Sequence, residues 1–224
     1  MPASHVIPLN DSLIRRLQDL PEPIDLAGSL YALPAPDRRA AATLLGRRGI
    51  WIHADVFGDV TTGVSIDLIT EMADTATGFV DVHLLDAAAH DAAFAAVCRP
   101  GISRITFPFE GLHDTEAIAG RIRAIGAQAW LAVSPATTFD QCRDALAHVD
   151  GLLVMLIEPG TSQAADTSNL TKNVDAHSAH LPNGVDGGVG EDILDQVHRS
   201  GAGYLVVGRR LFVSPDDRPG RSFR

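Results

Sequence analysis

Short apolar runs alternate with longer amphipathic ones along nearly the whole chain. The apolar runs are "IDLAGSL" (24–30), "GIWIHADV" (49–56), "GFVDVHLL" (78–85), "ISRITFPF" (102–109), "AQAWLAVS" (127–134), "GLLVMLIE" (151–158), a weaker "NGVDG" (183–187) and "GYLVVG" (203–208). Their length and flanking turn residues predict strands. Between them lie helical patterns, in "APDRRAAATLLGRRG", "SIDLITEMADTAT", "DAAAHDAAFAAVC", "DTEAIAGRIRAIG", "TFDQCRDALAHV", a polar stretch at 162–179 and "EDILDQVHRSG". Ile118, Ile122 and Ile125 make one stripe of a helix. Thr138 with Gln141 has the form of a capping box, and Gly126 and Gly201 stand where helices need a left-handed residue to stop. Eight strands alternating with helices predict an α/β fold, a single-domain (β/α)8 TIM barrel; pattern alone also allows an open doubly wound sheet. No linker divides the chain, so residues 1–224 read as one domain. It comprises a short N-terminal helix at 9–20, a barrel over about 24–213 and a tail at 214–224.

The charge balance narrows the partners. With 18 Lys+Arg against 28 Asp+Glu, the formal net charge of −10 disfavours a nucleic-acid backbone or an anionic membrane. Lys172 is the single lysine, so a Schiff-base mechanism has one candidate, and it lies in a polar stretch. Cys98 and Cys142 sit in Ala-rich helical patterns, as reduced packed thiols do. The N-terminus lacks a signal-peptide pattern and no apolar run reaches the length of a membrane span, so a cytoplasmic protein is expected.

In a barrel, polar groups at the C-terminal strand ends face the catalytic rim, while strand middles are packed. His53 and Asp55 end the second strand two residues apart and hence on one face. His83 ends the third strand and Asp186 the seventh. Each alone reads more readily as a satisfied core or turn residue. Together, two imidazoles and two carboxylates make a mixed nitrogen and oxygen set for one divalent ion, Zn, Fe, Mn or Co. That set suits neither a thiolate site nor an all-oxygen calcium cage.

The ordered segments "WIHADV", "DVHLL", "VSPATTFD", "VDGLLVMLIEPG", "VDGGVGEDIL" and "GAGYLVVGRRLF" resemble the ribulose-5-phosphate 3-epimerases, over roughly residues 24–213. The resemblance implies a ribulose-phosphate-binding barrel that inverts C3 of a phosphorylated ketose, by default the pair ribulose 5-phosphate and xylulose 5-phosphate. It implies one divalent metal on His53, Asp55, His83 and Asp186, with Asp55 and Asp186 also acting as acid and base on opposite faces of the carbon. It also implies a small-molecule sugar phosphate as partner and a homo-oligomer.

The chain departs from the family around the substrate. Phe57 stands where the family has a methionine after the second strand, and Asp59 takes the turn aspartate one position late. Leu84 and Leu85 replace the methionine after the third-strand histidine, whereas Met155 matches a family methionine. The first-strand serine falls on Gly28 in an ungapped alignment, with Ser29 beside it. The phosphate loop after the sixth strand keeps Gly160 but reads "PGTSQ" without paired glycines. Gly187, Gly188 and Gly190 remain, leading into a helix N-terminus, and Gly208 is followed by Arg209 in place of a serine. Arg209 can form a fork on phosphate or serve a surface or interface role.

Two other readings bear on the same barrel. One is a non-catalytic or altered-specificity sugar-phosphate-binding protein, disfavoured by the retained opposed carboxylates. The other is a decarboxylase or aldolase relative, disfavoured because the Asp-x-Lys-x-x-Asp motif of such decarboxylases is missing and the lone lysine is far from His53. His90, His113, His148, His177, His180 and His198 read as helix or loop residues. Trp51 and Trp130 read as core or barrel-exterior packing, and residues 161–179 as a lid or a loop.

Overall fold

The computed structural model describes residues 7–58, 62–86, 93–158, 161 and 163–213. Eight parallel strands close into a barrel in chain order: β1 (Asp25–Ser29), β2 (Trp51–Val56), β3 (Val80–Leu84), β4 (Arg104–Pro108), β5 (Gln128–Val133), β6 (Gly151–Met155), β7 (Asn183–Asp186) and β8 (Tyr204–Val207). Pairing of β8 with β1 completes the ring, which excludes the open sheet. The helices are α1 (Asp11–Gln18), α2 (Ala35–Arg47), α3 (Ile66–Asp74), α4 (described over 93–97), α5 (Thr115–Ala124), α6 (Phe139–Leu146), α7 (Thr171–Ser178) and α8 (Leu194–Arg199).

Period-two alternation divides the apolar residues into two cores. Ile52, Val82, Ile105, Leu131 and Val154 belong to the large core shared with the surrounding helices. Ala27, Trp130, Leu153, Met155, Tyr204 and Val206 form a separate cluster inside the barrel. On β1 this alternation turns Gly28 outward, since a Cβ there would lie 2.8 Å from Leu45 and 2.9 Å from Leu211. Ser29 therefore faces the barrel axis.

The local signals are realised where expected. Thr138 and Gln141 form a reciprocal capping box, Gly126 and Gly201 have φ of 84° and 76°, and Ile118 and Ile122 are buried. The predicted helix at 9–20 is α1, capped by the Asn10 side chain, which accepts from the Leu13 amide. It packs beside α8, where Arg16 pairs with Asp195 at 3.0 Å. The Asn10 amide donates to the Leu211 carbonyl, and Leu9 bridges Phe212, so the start of the described chain braces the segment after β8.

The polar stretch at 161–179 is neither lid nor loop over its second half, which is a short 3-10 helix (Thr167–Leu170) followed by α7. Three of its polar side chains, Asn169, Lys172 and Asn173, turn inward. Asn173 donates to Asn183 Oδ1 and the Gly184 carbonyl, and Lys172 Nζ donates to the Ser134 and Pro135 carbonyls. Lys172, with its pKa lowered by burial, is thus consumed in holding the α7 face to the β5 end. The tail at 214–224, Asp59, His90 and Gly160 lie outside the described residues.

Candidate metal and catalytic site

Parallel register sets the polar residues of neighbouring strands side by side on successive rungs. Ser29 is level with His53, His53 with Asp81, Asp55 with His83, His83 with Thr106, and Met155 with Asp186. All of these side chains point into the barrel; Ser29, Asp55, His83, Met155 and Asp186 lie towards the C-terminal strand ends, and Asp81 and Thr106 lie deeper.

The four predicted donors meet. His53 Nε2 lies 3.2 Å from Asp55 Oδ1 and 3.6 Å from Asp186 Oδ2. His83 Nδ1 lies 3.5 Å from each of the same two oxygens. One ligand atom from each residue falls within 4.8 Å of all the others. Donors about 2.1 Å from a shared tetrahedral ion stand about 3.4 Å apart, which these separations match. His83 Nδ1 is fully buried and has no hydrogen-bond partner, although it faces two carboxylates. An orphaned imidazole nitrogen aimed at the centre is what a metal ligand looks like before its ion is counted. The residues present therefore fit a divalent cation.

The electrostatics agree with that reading. Burial opposes charge on His53, but Asp55 and then Asp81 outweigh it and raise its pKa well above the ordinary imidazole value. Burial pushes Asp55 upward, yet His53 and His83 hold its carboxyl far below the usual range. Burial also works against charge on His83, and Asp186 and Asp55 override it to raise the pKa. Protons on the imidazoles thus supply positive charge between the carboxylates, the part that a cation fills.

Each carboxylate turns one oxygen to the imidazoles and keeps the other. Asp55 Oδ2 accepts from the Ser29 hydroxyl at 2.7 Å. Above them opens a cavity of about 760 Å³ lined by both aspartates and by Phe57, Leu85 and Met155. Gly187, Gly188, Gly208 and Arg209 line it as well. Gly187 and Gly188 have φ of 105° and 67°, a backbone that lets the main chain approach a ligand. Gly190 is set back from the lining and covered by the Arg210 side chain, and α8 starts only at Leu194, so the backbone near the cavity is a turn and not a helix end. Arg210 is tied to Asp192. Arg209 is exposed and has no carboxylate partner among the described residues. Among the described residues lining this cavity no histidine occurs.

Three participants escaped the sequence reading. Asp81 lies two residues before His83, on the same strand face, and holds His53 Nδ1 at 3.0 Å. Tyr204 donates to the same Asp81 oxygen at 2.8 Å. Arg104 lies beneath them, its guanidinium carbon 3.7 Å from the Trp130 ring centre and 4.4 Å from that of Trp51. Both tryptophans are thus barrel-interior residues, not exterior packing. The alternation that signalled His53 and Asp55 could have revealed Asp81; nothing local marks Arg104 or Tyr204.

Fold and site together define a (β/α)8 barrel with a buried two-histidine, two-aspartate centre beneath a sugar-sized cavity. The family model of the ribulose-phosphate 3 epimerase family matches residues 27–212. The chain belongs to that family, whose curated members are isomerases. The ribulose-phosphate 3-epimerase of Mycobacterium tuberculosis is 29% identical over 176 residues, covering 74% of this chain and 76% of that protein. The ribulose-phosphate 3-epimerase of Methanocaldococcus jannaschii is 33% identical over 119 residues, half of this chain and 51% of its own. Among solved structures, the crystal structure of KGPDC from Streptococcus mutans superposes with a TM-score of 0.67 at 13% identity, covering 87% and 92% of the two chains. That likeness speaks for the fold alone.

Proposed function

We propose that the protein inverts C3 of a phosphorylated ketose, with ribulose 5-phosphate and xylulose 5-phosphate as the first pair to test, one of Asp55 and Asp186 removing the C3 proton and the other delivering a proton to the opposite face. The observation that carries this is the pair of carboxylates reaching the cavity from β2 and β7, each with one oxygen turned to the imidazoles and the second turned away from them. A proton beside a ketone is removed by one carboxylate, leaving a cis-enediolate. The other carboxyl group returns a proton from the opposite face, which is what inverts the centre. The roles exchange when the reaction runs backward, so neither aspartate is permanently the acid. Ser29 fixes the free oxygen of Asp55. Phe57, Leu85 and Met155 place apolar atoms around the reacting carbon and keep water from it. His53, Asp55, His83 and Asp186 would hold one divalent ion, Zn, Fe, Mn or Co, which supplies Lewis-acid stabilisation of enediolate charge.

At the far end, Arg209 with the Gly187 and Gly188 backbone would receive the phosphate. Arg209→Ala should raise KM for the sugar phosphate about tenfold with kcat little changed, the signature of binding shared by ground and transition states. An unchanged KM assigns Arg209 to the surface. The reaction itself is tested by following the C3 proton by NMR in D2O, with Zn²⁺, Mn²⁺, Fe²⁺ or Co²⁺ added and a panel of keto-sugar phosphates. Exchange is expected for at least one. Binding of a sugar phosphate without any exchange would instead mark a sugar-phosphate-binding protein on the same barrel.

A further inference from the structure

Beneath the four donors lies a second buried polar layer that proton transfer does not use. Asp81 is fully buried, and its two oxygens face four groups. Oδ1 accepts from the Thr106 hydroxyl at 3.0 Å, while Oδ2 accepts from the Tyr204 hydroxyl at 2.8 Å. The same Oδ2 meets His53 Nδ1 at 3.0 Å and lies 3.9 Å from Arg104 Nη1. An ionised carboxylate only accepts, so His53 Nδ1 must carry a proton and a neutral imidazole presents its Nε2 lone pair to the cluster above.

The layer beneath Asp81 is built to hold that arrangement. The Arg104 guanidinium is boxed by the rings of Trp51, Trp130 and Tyr204, its carbon 4.2 Å from the last ring centre. Its Nε and Nη2 both donate to Gln128 Oε1, at 3.2 and 3.0 Å. Two glycines make room for the box. A Cβ on Gly151 would stand 2.3 Å from the Trp130 ring, and one on Gly184 would stand 2.7 to 2.9 Å from Tyr204. Tyr204 is thereby wedged so that its hydroxyl points up at Asp81.

We propose that Tyr204, seated on the caged Arg104, is a positioning residue for the metal site: through Asp81 it fixes the tautomer and ring orientation of His53. The inference rests on the metal reading given under the proposed function. Outer partners of metal-bound histidines typically contribute 10- to 100-fold in metal affinity.

The test is a Co²⁺ titration of the full chain, reading affinity and the visible absorption of the bound ion, in the wild type, Tyr204→Phe and Arg104→Met. Tyr204→Phe removes one oxygen and keeps the ring in its box. Both variants are expected to bind Co²⁺ about 10- to 100-fold more weakly, with a shifted absorption band. At saturating metal, Tyr204→Phe should leave KM for the sugar phosphate unchanged, because Tyr204 does not reach the cavity. If the wild type binds Co²⁺ and a folded Tyr204→Phe matches it in affinity and spectrum, the positioning role is overturned while the metal site stands. Should Tyr204→Phe not fold, Arg104→Met decides in the same way. A wild type that takes up no Co²⁺ overturns the metal reading and the positioning role with it.

Discussion

Asp186→Asn is expected to fold as the wild type does and to lose C3 proton exchange by about 10²- to 10⁴-fold, the usual worth of one positioned acid or base. The carboxamide keeps the shape of the side chain but cannot accept the proton that inversion must move. Asp186 is also the more open of the two carboxylates, its side chain 15% exposed against 8% for Asp55. Among the described residues its ion-pair contacts are with the imidazoles of the site. Loss of activity with an intact circular dichroism spectrum and melting profile separates chemistry from folding. Wild-type exchange rates in Asp186→Asn would remove that carboxylate from the reaction.

Asp81→Ala is expected to be the most destabilising single change in the barrel interior, by about 3–5 kcal/mol, because it strands a buried cation. Arg104 is 3% exposed and has no other carboxylate within ion-pair distance among the described residues. The Tyr204 and Thr106 hydroxyls and His53 Nδ1 would lose their acceptor as well. A comparison sets the scale. Arg123 and Asp150 form a closer, two-pronged pair, but both are more than a third exposed, and an exposed pair contributes only about 0–1 kcal/mol. Urea unfolding of the metal-free protein measures the difference; a loss below about 1 kcal/mol would show that the layer relaxes around the missing group. Burial works against ionisation of Asp81, but His53 and Arg104 prevail and hold its pKa at about 2. Folding lowers this pKa, so the stabilisation is complete above the unfolded value of 3.8 and is lost as pH falls towards 2.

What the sequence disclosed and what it withheld divide along physical lines. Strand positions are legible because each strand is bounded by turn residues and carries apolar side chains on both faces, one against helices and one inside the ring. His53, Asp55, His83 and Asp186 are legible because polar residues at the ends of such strands are out of place unless something uses them. Asp81 is equally out of place, but it lies deeper in its strand, where a satisfied core residue explains it as well. Arg104, Trp130 and Tyr204 come from β4, β5 and β8, and their contact depends on the closed ring, which no local pattern expresses. Polarity misleads at 161–179, where Asn169, Lys172 and Asn173 are buried because backbone carbonyls and Asn183 satisfy them. An ungapped alignment places the first-strand serine at Gly28; side-chain alternation gives the inward position to Ser29.

The order of the donors along the chain has a consequence for how the protein is made. His53, Asp55 and His83 are synthesised early, but Asp186 follows about a hundred residues later, on a strand that the closed ring joins to β1 through β8. A half-finished barrel therefore offers an incomplete grip. An ion that prefers the full set would favour the closed ring over any opened form, acting as a clasp between its first strands and its last.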